Sequence, residues 1–278
     1  MQNAALRKMN LNWCYLAFPC ERNELKNILK GLYAINCKGL NITIPYKLDV
    51  ASLCEELSPI ARKVGAVNTL KRNKEGGWSG TNTDVEGFIS PLKESNFNWN
   101  NNKAIIIGCG GSARAVVAGL EELKFSEATI ISRNTEKLYK FLKDCDETIG
   151  SVNLKTKPMK FKGRLETDEH LITDIKNADL IINTTPIGMD NRTKENTNEM
   201  PISKEIWKTI EKETTLYDLI YTPRPTPWLK WGAKENLNCI DGLEMLVQQG
   251  ASSLQIWSER NDVPITIMRK AAKSHLKI

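Results

Sequence analysis

The sequence predicts an α/β protein: a doubly wound, mainly parallel sheet joined to a second α/β domain on its N-terminal side. Three observations carry this. Strand-like and helix-like runs alternate through most of the chain, the pattern of βαβ units. A glycine-rich turn, Gly108-Cys109-Gly110-Gly111-Ser112-Ala113, follows an uncharged strand-like run and opens a helical one. The length, 278 residues, suits two domains of ordinary size better than one small core.

Taken in order, Trp13 to Phe18 is a short apolar run, after which Leu25, Ile28, Leu29, Leu32 and Ile35 recur at helical spacing. Gly39–Ile44 reads as a strand and Leu48 to Leu57 as a helix. The runs around Val67–Leu70 and Trp78–Thr81 read as strands. An Asn-rich stretch, Ser95 to Asn102, separates this region from the next. Ala104–Ile107 then has the unbroken apolar character of a buried strand, and Ala128–Ser132, Asp179–Thr184, Thr215–Ile220 and Asn238–Ile240 follow as strands with helical stretches between them. That succession is the Rossmann-type, doubly wound nucleotide-binding pattern. Asn191–Glu199 reads as an exposed polar loop without assignable chemistry. The tail is helical from Leu243 to Ser258, breaks at Pro264 and ends in a basic amphipathic stretch. The expected domains are residues 1–83, completed by 243–278, and residues 84–242. Ligands are expected between them at the carboxyl ends of the strands, with closure of the domains over both.

Composition narrows the functional classes. With 41% hydrophobic and 26% charged residues and no low-complexity block, the chain has the make-up of a folded soluble protein. No apolar run reaches the ~18 residues of a membrane helix, and the first ten residues lack the apolar stretch of a secretory signal. The seven cysteines are scattered and never spaced C-x-x-C. This argues for reduced thiols in a cytoplasm and against a disulfide framework or a zinc knuckle, and no metal is expected. The net charge of +6 suits an enzyme of anionic ligands. Its lysines are spread rather than clustered, so no nucleic-acid partner is expected. Only two histidines occur, His170 and His275, and neither neighbours another candidate group. Acid–base chemistry therefore has to use another residue type.

The glycine turn fits G-x-G-x-x-G/A, with Ala113 in the last place. Gly108 permits a tight turn, Gly110 lets the backbone approach a pyrophosphate, and Gly111 and Ser112 open the helix whose free N–H groups face the phosphates. Ala113 lets that helix pack closely on the strand. The alternative is a purely structural turn. The next strand chooses the dinucleotide. An NAD site carries Asp or Glu at its end to bind the ribose hydroxyl, whereas this chain has Ser132-Arg133-Asn134-Thr135 with Lys137 close behind. An arginine there can pair with a 2′-phosphate that a carboxylate would repel. The position points to NADP, although Arg133 and Lys137 could also be ordinary solvated charges.

Ahead of the linker stand Asn41-Ile42-Thr43-Ile44-Pro45-Tyr46-Lys47, Gly65-Ala66-Val67-Asn68-Thr69 and Gly80-Thr81-Asn82-Thr83-Asp84. Singly, each has an everyday explanation: Lys47 a solvated lysine, Asn68 a turn cap, Asp84 a helix N-cap. Together, and in this order, they resemble the shikimate dehydrogenase family, with its N-[VI]-T-x-P-x-K, G-A-V-N-T and N-T-D segments. The later signatures are similar too: the Gly108 turn, the Arg133 turn, Asn183-Thr184-Thr185-Pro186-Ile187-Gly188-Met189, Asp218-Leu219-Ile220-Tyr221-Thr222-Pro223, and Asp241-Gly242-Leu243-Glu244-Met245-Leu246-Val247-Gln248-Gln249. The resemblance runs from about residue 3 into the last helices.

It implies NADP-linked interconversion of shikimate and 3-dehydroshikimate in aromatic amino acid (chorismate) biosynthesis, with Lys47 as catalytic lysine and Asp84 as its partner. Thr43, Asn68 and Gln249 match positions that bind substrate hydroxyls, and Tyr221 one that positions the ring and carboxylate. Leu219 and Gly242 fall where the family cradles the nicotinamide. The chemistry agrees: ketone reduction needs a proton for the developing alkoxide, and oxidation must remove it. A lysine has an ordinary pKa of ~10.4, so use of one as a base at neutral pH needs desolvation, a nearby positive charge or a water relay.

One segment departs from the family pattern. There the chain opens with a strand and a segment like H-S-x-S-P-x-x-H-N, whose serines bind the substrate carboxylate. Here Met1-Gln2-Asn3 begins inside it, with Asn3 at the closing asparagine. Either the natural start lies upstream, which the intact later motifs favour, or the chain begins here and binds substrate poorly. The alternatives to the leading function are an NAD(P)-dependent quinate/shikimate dehydrogenase and a non-catalytic ligand-binding relative. A one-carbon folate dehydrogenase fits the tandem segments less well. A homodimer is left open.

Overall fold

The computed structural model describes residues 1–158, 169–189, 200, 201, 203, 206 and 208–276. The expected loop at 191–199 lies outside the described residues. The chain divides into two compact units: Met1–Ser90 with Met245–Ile278, and Pro91–Glu244.

The first unit opens with α1 (Gln2–Lys8) and α2 (Leu25–Ala34), whose Leu25, Leu29 and Leu32 are buried. They share a core with Val50, Ala61, Val67, Leu70 and Trp78. Ile35, placed by spacing on the same face, instead caps the helix and is 73% exposed. Four short strands follow: β1 (Gly39–Asn41), β2 (Glu56–Leu57), β3 (Thr69–Arg72) and β4 (Trp78–Thr81), in the spatial order β1-β3-β4-β2. The β1–β3 and β3–β4 pairs are antiparallel and β4–β2 parallel.

The helix expected over Leu48 to Leu57 does not form. A 3-10 turn covers Val50–Leu53, and Glu56 and Leu57 pair with Ser79 and Gly80 instead. Edge pairing wins because α3 (Pro59–Val64) begins straight afterwards, with Ser58 capping it and its proline pushing Ser58 out of helical geometry. The unit is completed by most of α4 (Asp84–Glu94), then by α9 (Leu243–Ser258) and α10 (Ile265–Leu276) from the far end of the chain.

The second unit is a six-stranded, all-parallel sheet of β5 (Lys103–Ile107), β6 (Glu127–Ser132), β7 (Asn153–Pro158), β8 (Leu180–Asn183), β9 (Thr215–Asp218) and β10 (Asn238–Ile240). The order β10-β9-β8-β5-β6-β7 reverses direction between β5 and β8, the doubly wound arrangement, and in such sheets ligands bind beyond the strand ends at that reversal. Helices α5 (Gly111–Glu122), α6 (Thr135–Asp146), α7 (Glu169–Lys176) and α8 (Pro227–Lys234) connect and cover the strands. Ile105, Ile107, Ile131, Ile181, Leu216 and Trp228 lie in one buried cluster. The sequence gives no sign of β7, whose Asn-Leu-Lys-Thr-Lys-Pro is half exposed at the sheet edge.

Candidate active site

The first unit assembles its polar residues around Asp84. A turn in which Tyr46 N–H donates to the Thr43 carbonyl (2.9 Å) leads into Lys47, whose own carbonyl accepts from Val67 N–H at 2.8 Å. Tyr46 Oη holds the turn to the Cys20 carbonyl at 2.6 Å. Asp84 opens α4, and its N–H donates to Asn82 Oδ1 at 3.0 Å while Asn82 Nδ2 donates to the Ala66 carbonyl at 2.9 Å. These anchors bring Lys47 Nζ to 2.6 Å from Asp84 Oδ2. Asp84 is therefore neither a free surface carboxylate nor an N-cap: it faces inward, with only 4% of the residue exposed. Withdrawing an ion pair from water offsets most of its attraction, so stability alone is a weak reason for it.

Asn68 sits against the same carboxylate. Its Nδ2 donates to Asp84 Oδ1 at 2.8 Å and to Thr83 Oγ1 at 3.0 Å. Its Oδ1 accepts from Thr83 N–H at 2.8 Å and Thr69 Oγ1 at 2.9 Å. Lys47, Asn68 and Asp84 thus form one hydrogen-bonded group. Gln249 donates from Nε2 to the Leu246 carbonyl of its own helix, 2.9 Å away. Its helix lies against α4 at Gly87, where an added Cβ would meet Gln249 Cβ at 2.9 Å and the Met245 carbonyl at 2.8 Å. Thr43 is exposed on the turn before Lys47. Tyr221 belongs to the other compact unit and is 40% exposed. Asn3 clamps the backbone of Tyr15 through both of its side-chain atoms, at 2.9 and 2.7 Å.

In the second unit the glycine turn lies at the sheet's reversal point. Gly108 has φ +109°, and a Cβ there would meet Thr184 Oγ1 at 2.5 Å, so both conformation and the neighbouring strand end require glycine. Gly110 is different. Its φ of −92° suits any residue and a Cβ would meet nothing within 4 Å. Nothing in the chain asks for glycine there, as expected where a ligand approaches the backbone. Gly110 precedes α5 without a capping side chain, which leaves the first-turn N–H groups of Gly111, Ser112 and Ala113 open to an anion. Ala113 is fully buried. At the end of β6, Cys109 Sγ donates to Ser132 Oγ at 3.1 Å, and Asn134 caps α6 by accepting from Lys137 N–H at 2.8 Å. Arg133 and Lys137 are exposed. These residues fit a dinucleotide carrying an extra phosphate.

Beyond β9, Asp218 is fully buried. It accepts from Asn183 Nδ2 (3.0 Å), Ile220 N–H (3.1 Å) and Thr226 Oγ1 (2.8 Å). Burial pushes its pKa up to about 6, against these hydrogen bonds. The knot fixes the backbone of Leu219, and a Cβ on Gly242 would come within 2.1 Å of the Leu219 carbonyl oxygen. Gly242 is thus required by close backbone packing alone.

Sequence reading singled out neither Ser253 nor the hydroxyl cluster of Thr69, Thr83 and Ser253 behind Asn68. One signal was available: Ser253 lies four residues beyond Gln249, on the same face of α9.

A doubly wound parallel sheet with an open glycine turn at its reversal, in one chain with a unit holding a buried lysine–carboxylate pair, defines the class of two-domain, dinucleotide-dependent oxidoreductases. The family model described as the shikimate dehydrogenase substrate binding domain matches residues 1–70, and that of the shikimate 5'-dehydrogenase C-terminal domain matches 242–273. A shikimate dehydrogenase (NADP(+)) of Prochlorococcus marinus strain MIT 9515 is 45% identical over 99% of this chain and 92% of its own. The chain belongs to the shikimate dehydrogenase family. Two solved structures are similar across nearly the whole chain. Shikimate 5-dehydrogenase of Thermus thermophilus, in complex with NADP(H) and shikimate, is 26% identical with a TM-score of 0.80, over 98% of this chain and 92% of that one. The Listeria monocytogenes enzyme, in complex with shikimate and NAD, is 26% identical with a TM-score of 0.83, over 97% and 89%. No helix among the described residues is long and apolar enough to cross a membrane.

Proposed function

We infer that this protein is an NADP-dependent shikimate dehydrogenase, interconverting shikimate and 3-dehydroshikimate in aromatic amino acid biosynthesis, with Lys47 and Asp84 as its proton-transfer pair. The observation that carries the assignment of residues is the 2.6 Å contact between Lys47 Nζ and Asp84 Oδ2, withdrawn from solvent beside Asn68. NADP, when bound, supplies or accepts the hydride. In the oxidation direction Lys47 Nζ takes the proton leaving the substrate hydroxyl, and in reduction it returns that proton to the developing alkoxide. Asp84 aims the lysine through Oδ2 and is itself held through Oδ1.

Thr43 and Gln249 bind substrate hydroxyls in this reading, as does Asn68 once a bond to its own chain is exchanged, and Tyr221 positions the ring. The first unit, Met1–Ser90 with Met245–Ile278, forms the substrate-binding part and the second, Pro91–Glu244, the NADP-binding part. Gly108, Gly110, Gly111, Ser112 and Ala113 hold the pyrophosphate. Ser132, Arg133, Asn134 and Lys137 face the 2′-phosphate, while Leu219 and Gly242 line the nicotinamide. The scattered, unbridged cysteines favour the cytoplasm. A homodimer is the assembly that light scattering would test directly.

The test is NADPH formation from shikimate by the purified protein, with quinate and NAD as parallel substrates. A rate greatest with shikimate and NADP supports the reading; a preference for quinate or for NAD moves the assignment to a quinate/shikimate dehydrogenase.

A further inference from the structure

Behind the Lys47–Asp84 pair lies a buried hydroxyl cluster that the proposed chemistry leaves unused. Ser253 is fully buried on α9, and its Oγ has four polar partners. It donates to the Gln249 carbonyl one turn earlier at 2.9 Å, the usual back-bond of a serine inside a helix. It also receives Asn41 Nδ2 at 2.8 Å, and lies 2.8 Å from Thr69 Oγ1 and 3.2 Å from Thr83 Oγ1. Thr83 Oγ1 touches both ends of the Asn68 carboxamide, and Thr69 Oγ1 donates to its oxygen.

The donors and acceptors fix a direction. Asn68 Oδ1 has to face Thr83 N–H, a backbone donor that cannot rotate, at 2.8 Å. With the proton of Ser253 committed to Gln249, the threonine hydroxyls share their two protons among Ser253, each other and Asn68 Oδ1. Where Thr69 donates to Asn68 Oδ1 at 2.9 Å and Thr83 to Ser253 at 3.2 Å, Thr83 Oγ1 is left to accept from Asn68 Nδ2 at 3.0 Å, so the oxygen and the nitrogen of the carboxamide are both held. The nitrogen is thereby turned to Asp84 Oδ1, where it donates at 2.8 Å. That bond occupies Oδ1 and leaves Oδ2 for Lys47.

We propose that Ser253 is a positioning residue for the proton-transfer pair: through Thr69 and Thr83 it holds the Asn68 carboxamide in the orientation that presents a donor to Asp84, and it ties that orientation to the helix carrying Gln249. The inference rests on the assignment of Lys47 and Asp84 as that pair. Gly87 supplies the second link between the same elements. It lies one turn into α4 after Asp84, and its missing side chain is what lets α9 approach.

The experiment measures kcat and KM for shikimate and NADP in Ser253→Ala, Thr83→Val and the double variant. Lys47→Ala and Asp84→Ala serve as controls, and thermal unfolding is recorded for all. In Ser253→Ala, kcat should fall about tenfold, a modest part of the ~10²–10⁴ contributed by a positioned proton-transfer group. KM for NADP should hold while kcat falls, because the substitution loosens the aim of the pair and leaves the cofactor site untouched. The double variant should lose little more than the worse single one, because both act through Asn68. A structural role alone would lower the unfolding temperature and leave kcat in place at a temperature where the variant is folded, and that result overturns the proposal. If Ser253→Ala does not fold, the same fall in kcat at unchanged KM for NADP is required in Thr83→Val, and its absence overturns the proposal equally. If Lys47→Ala and Asp84→Ala keep their activity, the pair itself is misassigned, a failure separate from that of Ser253.

Discussion

Lys47 Nζ donates to Asp84 Oδ2 at 2.6 Å, with 12% and 6% of the two side chains left exposed. The residues lie 37 apart in the chain and reach each other through a turn anchored at Val67 and a helix start anchored at Asn82. Two groups acting as one unit give non-additive losses. Lys47→Met and Asp84→Asn should each lower kcat by about 10²–10⁴, and the double variant should be no worse than the poorer single one. Independent, multiplying losses in steady-state kinetics would show that the residues act separately.

The glycine turn gives a sharper test of cofactor binding, because its glycines differ in what the chain requires of them. Gly110→Ala should leave thermal stability within about 0.5 kcal/mol while raising KM for NADP, since its Cβ points into open space. Gly108→Ala should instead destabilise the fold by about 1–3 kcal/mol, through φ +109° and the Thr184 contact. Unfolding and NADP titration of both variants decide this. A Gly110→Ala protein that binds NADP normally would remove the pyrophosphate from this turn.

Arg133 should set the choice between cofactors. Arg133→Ala is expected to raise KM for NADP about tenfold, the equivalent of one charge-assisted hydrogen bond at ~1.5 kcal/mol. KM for NAD should stay where it was. An equal rise for both cofactors would make Arg133 a contact to the adenine or the pyrophosphate instead.

Asp218 predicts a pH effect on stability. Its pKa in the folded chain is about 6 against an ordinary 3.8, so between these values the folded state binds the extra proton. Its stabilising contribution is complete below the lower value and is lost as pH rises through about 6, a change on the order of 2–3 kcal/mol. Asp218→Asn keeps the shape without the charge. Denaturant unfolding from pH 4 to 7 should show the unaltered protein losing stability relative to Asp218→Asn as pH rises. A constant difference would mean that Asp218 does not titrate in this range.

The parts of this fold legible in the sequence are those whose pattern is local. Trp78–Thr81, Asn238–Ile240 and Leu243–Ser258 form as strand, strand and helix over the ranges their periodicity gives. The segment from Leu48 misleads because its fate depends on a partner: β4 captures Glu56 and Leu57, which helical spacing cannot show. β7 hides because half-exposed lysines and a threonine can stand in an edge strand without an apolar run. Lys47, Asn68 and Asp84 were legible through ordered motifs. Ser253 was not, because its partners Thr69 and Asn41 lie 184 and 212 residues away. In isolation it is one more serine in an apolar helix.

The most direct test of the account is the initial rate of NADPH formation from shikimate and NADP by the unaltered protein and by Lys47→Met, side by side, with thermal unfolding of both. The account predicts a clear rate in the first and a fall of at least ~10²-fold in the second, with the fold retained and NADP still bound. A folded Lys47→Met protein that turns over shikimate at a rate comparable with the unaltered chain would contradict it, and the proton would have to leave by another group.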